Sequence, residues 1–280
     1  MSFEVTVASA EEMMLMARWA TEEGWNVAHT DPLAFFAADP GGFLIGRVDG
    51  EPLLSISVVK QGAGFGFLGF YIARPQVRGK GYGIRLWNAG MARLKGRNVG
   101  LDGVVAQQAN YRKSGFRPAW NNARFEGAPG GAKPPAGVTL VDGRSMPFDK
   151  LADYDRRFVV AERDTFLSLW IGLQQRASLV ALKEGAIVGF GVMRACPASF
   201  KVGPLYAESP EIAAALIAAL ARQMSPPAVV MDVPDFNKPA LALVEHMGWL
   251  QVSSSARMYT GEIPGLDRAG LYGITSLELG

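Results

Sequence analysis

Cysteine is nearly absent: Cys196 stands alone in 280 residues. An intramolecular disulfide framework is therefore impossible, and a reducing compartment is expected. Histidine is almost as scarce. His29 and His246 are isolated from each other, and no Cys or carboxylate spacing supports zinc, so no resident metal is expected. Excess charge is missing as well, with 28 Lys and Arg against 26 Asp and Glu. That balance disfavours nucleic acid or an anionic membrane as partner. No run of about 18 apolar residues suggests a membrane span. Met1 to Ala10 lacks the basic stretch and apolar run of a secretory signal, so the expected location is cytoplasmic. What is present, 49% hydrophobic and 19% charged residues, excludes disorder and collagen-like repetition. It suffices for one large domain or two of average size.

One segment differs from its surroundings. Gly127 to Gly137 holds four Gly and three Pro in eleven residues, which reads as a linker. A plan repeats on either side of it. Gly42 to Val59 is an apolar run, a turn at Asp49-Gly50 and a second apolar run; Ala177 to Arg194 repeats this with its turn at Glu184-Gly185. Both read as β-hairpins. Gly115-Phe116 matches Gly248-Trp249, and Ala123 to Gly127 matches Ala256 to Gly261, at nearly the same offset. Two copies of one fold are expected: 1–126, a 127–137 linker, and 138–280. Each copy orders as helices, hairpin, strand, long helix, strand, short helix and closing strand. That order predicts the α+β class with a central mixed sheet flanked by helices. In the first copy, Ala10 to Glu23 reads as an amphipathic helix burying Met13, Met14, Met16, Ala17 and Ala20. Phe65 to Ala73 reads as a strand buried on both faces, and a helix continues through Arg85 to Lys95.

Directly after that strand come Arg78-Gly79-Lys80-Gly81-Tyr82-Gly83 and then the helix. Glycines at alternate positions let the backbone approach a bulky anion, and helix N–H groups can hold phosphates. Tyr111-Arg112-Lys113-Ser114-Gly115-Phe116 follows 28 residues after Gly83. In these two motifs, their order and their spacing, the sequence resembles the GNAT superfamily of acetyl-CoA-dependent N-acetyltransferases. The resemblance implies a tandem member, with acetyl-CoA as co-substrate and a small-molecule or peptide amine as acceptor; oligomeric state stays open. It implies that Arg78, Gly79, Lys80, Gly81, Tyr82 and Gly83 receive the pyrophosphate, and that Tyr71, Ile72 and Ala73 pair with the pantetheine arm as an added strand would. It also makes Tyr111 the general acid that protonates the departing thiolate.

The base is not evident, because Phe65 to Ala73 offers no carboxylate. Glu22, Glu23, His29, Asp31 and Asp102 are candidates, and Gln107, Gln108 or Asn110 replace a cofactor-side asparagine that relatives carry where Val104 stands. In the second copy the glycine loop falls on Ile212 to Ala218 and the tyrosine position is Val244, although Asn237 keeps a trace of the pattern. The second copy is expected to keep the fold without the chemistry and to shape the acceptor cleft. Phe166, Leu167 and Trp170 are expected in its own core, and Cys196 as a small buried hydrophobe. A non-catalytic acyl-CoA-binding or sensing protein is the alternative function, and a transferase of a larger acyl group, with Phe67 and Phe70 along a wider channel, is a second.

Overall fold

The structure, a computed structural model, describes residues 2–280. The first half runs β1 (Phe3–Val7), α1 (Ala10–Glu22), α2 (Asp31–Ala38), β2 (Phe43–Val48), β3 (Glu51–Gln61), β4 (Phe65–Ala73), α3 (Tyr82–Arg93), β5 (Asn98–Val104), α4 (Gln108–Lys113) and β6 (Arg117–Gly127). The second half runs β7 (Val138–Asp142), α5 (Phe148–Asp155), α6 (Asp164–Gly172), β8 (Arg176–Lys183), β9 (Ala186–Ala195), β10 (Phe200–Ala207), α7 (Pro210–Met224), β11 (Val229–Pro234), α8 (Lys238–His246), β12 (Leu250–Tyr259) and β13 (Leu271–Gly273). Residues 128–137 carry no helix or strand. The expected hairpins are β2–β3 and β8–β9. Both turn through two residues of positive φ, Asp49-Gly50 and Glu184-Gly185, the geometry whose twist matches flanking strands.

Local signals account for the helices that frame the site. Ser9 accepts from the Glu12 amide while the Glu12 side chain accepts from Ser9, a reciprocal cap that starts α1. Its buried face is Met13, Met16, Trp19 and Ala20. The expected stripe included Met14 and Ala17, which are only half-buried; Trp19 takes the place beside Ala20. In α7, Ser209 caps the first turn and Pro210 opens it. Nine buried residues then sink that helix into the second half's core.

The sheet shows why the halves form one body. Its order is β1-β2-β3-β4-β5-β12-β6-β11-β10-β9-β8-β7, with β13 beside β10, thirteen strands in all. The closing strands are exchanged. β12 pairs antiparallel with β5, from Ser255 opposite Val104 to Tyr259 opposite Gly100. β6 pairs antiparallel with β11, from Val229 opposite Gly127 to Pro234 opposite Asn122. The two also pair with each other at the middle of the sheet. Each half thus supplies the strand that completes its neighbour.

A shared core reinforces the exchange. Phe35 on α2 stacks on Phe166 and Trp170 of α6, with ring centroids 6.3 and 5.8 Å away. Phe166, Leu167 and Trp170 therefore line a core common to both halves rather than one belonging to the second alone. Beside them, buried Asp31 accepts from Arg176 at 3.0 Å and from Arg194, both on the second half's hairpin, and also caps the Ala28 amide. Among the described residues, no helix is long and apolar enough to cross a membrane.

Candidate active site

Strands β4 and β5 run parallel only from Phe65 opposite Asn98 to Leu68 opposite Leu101. Beyond Leu68, among the described residues, no strand pairs that edge of β4 as far as Ala73. A bulge drives the divergence. Ser57 faces Gly69 and Ser55 faces Ile72, so Phe70 and Tyr71 together oppose Ile56. Phe70 sits at φ 45, a region costing a non-glycine residue about 1–3 kcal/mol. Ser55 Oγ fixes it by donating to the Phe70 carbonyl at 2.8 Å. An extra residue in one strand bends it and frees main-chain groups. The free edge from Gly69 to Ala73 contains Tyr71, Ile72 and Ala73, the residues expected to pair with pantetheine.

The glycine loop lies at the end of this edge. Gly79 and Gly81 have φ of 75 and 82, and Gly81 is the cap residue of α3. A Cβ at either would meet nothing within 4 Å. Space for a diphosphate and amides at a helix N-terminus are thus present together. Arg78 is less available than expected, since its guanidinium bonds the Ala73 carbonyl at 2.7 Å and the Glu23 carboxylate. Lys80 is exposed, and Tyr82 stacks on Phe3 at 5.3 Å. Gly83 lies against the Tyr71 hydroxyl, where a Cβ would come within 2.8 Å. Because only backbone conformation limits position 81, Gly81→Val should add about 1–2 kcal/mol of left-handed strain. The measurable result is a roughly tenfold rise in KM for the acyl donor; an unchanged KM would remove the loop from donor binding.

Tyr111 stands across the cleft on α4. Its ring lies over Gly103 of β5, where a Cβ would meet it at 2.8 Å, and stacks on Trp87 at 5.7 Å. Trp87 in turn meets Tyr71 edge-on at 5.3 Å. Burial pushes the Tyr111 phenol up to about 12, with nearby Tyr71 adding to the rise. Trp87, which braces both tyrosines, went unnoticed in the sequence because a lone Trp on a helix reads as ordinary core.

The β4 edge, Arg78 and Tyr111 border a cleft of about 590 Å³ that both halves line, within the range of small-molecule sites. From the first half come Trp25, Phe70, Tyr71, Tyr111 and Asp102; from the second come Lys201, Asp232, Ser253 to Ser255, Leu277 and Glu278. Asp102, near the middle of β5, accepts from Arg257 Nε at 3.0 Å and Nη2 at 2.8 Å and from Asn122 at 2.7 Å. Burial raises its carboxyl above the usual range, only partly offset by Arg257. Asp232 takes two 2.8 Å bonds from Arg124. There burial is outweighed by Arg124, and the carboxyl falls below its usual value. Ser255 Oγ is buried in the wall with no hydrogen-bond partner among the described residues.

The other base candidates lie apart. Glu22 pairs with Arg74 on the surface, His29 is exposed, and Asp31 is the buried pin between halves. Gln107 lines the cleft and accepts from Asn110 at 2.8 Å, while Gln108 is half-buried outside the cleft lining. Phe67 faces away, under Arg257 in the core, whereas Phe70 reaches the cleft. Burial raises the Cys196 thiol, the state of an unreactive sulfur. No group of three metal-ligating side chains occurs among the described residues.

The second half has no equivalent opening. β10 and β11 pair only from Phe200 to Val202, but β13 occupies the edge beyond, with Leu205 opposite Gly273 and Tyr206 opposite Leu271. The gap that a pantetheine arm would enter is filled by the chain itself. The position corresponding to the glycine loop is helical and buried, and Val244 is fully buried. Asn237, taken as a trace of the cofactor-side pattern, has another occupation. It caps α8 through the Ala240 amide at 3.0 Å and donates to the Leu271 carbonyl at 2.9 Å, holding the turn into β13.

Two mixed half-sheets fused into one by exchanged closing strands, one half open between parallel strands beside a glycine loop, define an acyltransferase architecture. Family models match residues 10–116 as acetyltransferase (GNAT) family and residues 151–273 as acetyltransferase (GNAT) domain. The chain belongs to the GNAT acyltransferases, a family that uses acyl-CoA. It is 31% identical over 275 residues to a holothin acyltransferase from Pseudoalteromonas sp. (strain SANK 73390), covering 98% of this chain and 93% of the relative. A crystal structure from Pyrococcus horikoshii, assigned as an acetyltransferase, superposes with TM-score 0.81 at 18% identity over 99% of this chain and 96% of its own. A tandem GNAT protein from the clavulanic acid biosynthesis pathway gives 0.67 at 15% identity over 94% and 100%.

Proposed function

We propose that the chain is an acyl-CoA-dependent N-acyltransferase that acetylates a small-molecule or peptide amine by direct attack on the thioester. The observation that carries this reading is the cleft lined by the open edge of β4, by Tyr111 and by Arg78, the residue from which the glycine loop departs. Residues 1–126 form the catalytic lobe, 127–137 the linker and 138–280 a lobe that carries no donor site. The lone cysteine supports action in the reducing cytoplasm.

In this reading the amides from Arg78 to Gly83 and the start of α3 hold the diphosphate of the donor. Tyr71, Ile72 and Ala73 hold its amide arm, and a main-chain N–H beside the bulge faces the oxygen that becomes negative. One such donor is worth about 3 kcal/mol in a dry site. Tyr111 lines the cleft and stays protonated because burial raises its phenol; in this reading it gives its proton to the departing sulfur. The direct test is release of free thiol from acetyl-CoA across a panel of amines. Absence of thiol release with every amine, together with tight binding of the donor, would replace this reading by an acyl-CoA sensor.

A larger acyl group is the second reading. Trp25 and Phe70, 6.2 Å apart, and Leu277 give the cleft an apolar lining, and the relative bears the broader name acyltransferase. Comparing kcat/KM for acetyl-, hexanoyl- and benzoyl-CoA separates the two.

A further inference from the structure

Four carboxylates line the cleft: Glu23, Asp102, Asp232 and Glu278. Three are engaged. Glu23 is bonded to Arg78, both oxygens of Asp102 face Arg257, and both of Asp232 face Arg124. Glu278 differs. Its residue is only 5% exposed, and no described residue hydrogen-bonds or ion-pairs with its carboxylate. Arg124, Lys201 and Asp232 from β6, β10 and β11 line the same wall, as does Asp102 from β5. The Cys196 thiol also feels the Glu278 charge.

The backbone of this residue is firmly held. After β13 the tail returns to the first half, where Gln61 Nε2 donates to the Leu279 carbonyl at 2.9 Å and the Leu279 amide donates to Ser276 Oγ at 3.1 Å. The Glu278 carbonyl lies on Gly69, so closely that a methyl group there would collide with it. Gly69 is the first residue of β4 past its pairing with β5. The tail therefore brings a carboxylate-bearing residue, itself lining the cleft, against the point where the strands part, beside a strand that has no carboxylate of its own.

We propose that Glu278 is the general base of the transfer, supplied to the first half's cleft by the second half's C-terminal tail. This rests on the acyl-transfer reading above. The acceptor nitrogen bonds the thioester carbon and its proton passes to the Glu278 carboxylate. The carbon–sulfur pair leaves on sulfur, which is protonated from Tyr111; the proton on Glu278 then returns through water to the phenolate. The sum is amine plus acyl-CoA giving amide plus CoA thiol.

The test uses the full chain with acetyl-CoA and a panel of primary alkylamines, reading thiol release. Glu278→Gln keeps the size of the side chain, so the thermal midpoint should stay within about a degree while kcat falls roughly a hundredfold, as expected for loss of a general base. KM for acetyl-CoA should not move. In Glu278→Ala, added formate should restore part of the rate, which a purely structural role would not permit. Gly69→Ala, which displaces the Glu278 backbone, should lower kcat in the same direction. Wild-type turnover with Glu278→Gln at an undiminished rate overturns the base alone. A slow Glu278→Ala that formate does not rescue also overturns it. No turnover by the wild-type protein on any amine overturns the transferase reading and the base with it.

Discussion

Tyr111→Phe should lower kcat about a hundredfold while leaving KM for the acyl donor and the thermal midpoint nearly unchanged, because only the hydroxyl is removed. The ring keeps its stack on Trp87 and its seat over Gly103. The hydroxyl borders the cleft and bonds no described residue, so its loss strands no protein partner. The magnitude is that of a single positioned proton donor. A second measurement fixes the sign of the pH dependence. An exposed phenol ionises near pH 10, but burial raises this one to about 12, so it remains the neutral donor throughout the range in which enzymes are assayed. Between about pH 8 and 10 the ionisation of Tyr111 should cause no fall in kcat. A falling limb centred near 10 in the wild type and absent from Tyr111→Phe would contradict that burial. Full activity of the variant, on a substrate whose chemistry limits the rate, would remove the tyrosine from its role.

Asp31→Ala should be the most damaging single change to stability. Its carboxylate is 1% exposed and is shared by Arg176 and Arg194, whose side chains are 0% and 3% exposed. Removing it leaves two guanidiniums packed together on Trp170 with no counter-charge. Breaking a buried pair from one side costs about 3–5 kcal/mol. For a chain of this size that corresponds to a fall in Tm of roughly 10 °C. Because Arg176 already feels burial and Arg194, its guanidinium is lowered to about 10 with the carboxylate in place. A variant that melts like the wild type would show that the carboxylate does not join the halves.

How much of this could be read from the chain depends on how local each signal is. The hairpin turns at Asp49-Gly50 and Glu184-Gly185 are visible because two-residue turns demand particular residues, and both occur. The loop from Arg78 to Gly83 is equally legible, since glycine at positive φ leaves a mark in sequence. The bulge at Phe70 is not, because a phenylalanine held at φ 45 by a serine on the next strand has no such signature. Asn237 was legible but misread. An asparagine followed by Lys-Pro is a helix cap on local grounds, and only the expectation of a repeat turned it toward a cofactor. Glu278 and the pairing of β6 with β12 depend on contacts between distant parts of the chain, which periodicity cannot register.

The interleaving of β6 and β12 bears on why the second copy is kept. A duplicated protein whose two units fold separately is ordinarily free to shed one of them. Here the cut at the linker would leave β5 with a bare flank and β6 with no neighbour, so a shortened gene would encode neither a smaller enzyme nor a soluble remnant of one. The second copy persists because the first cannot complete its own sheet without it.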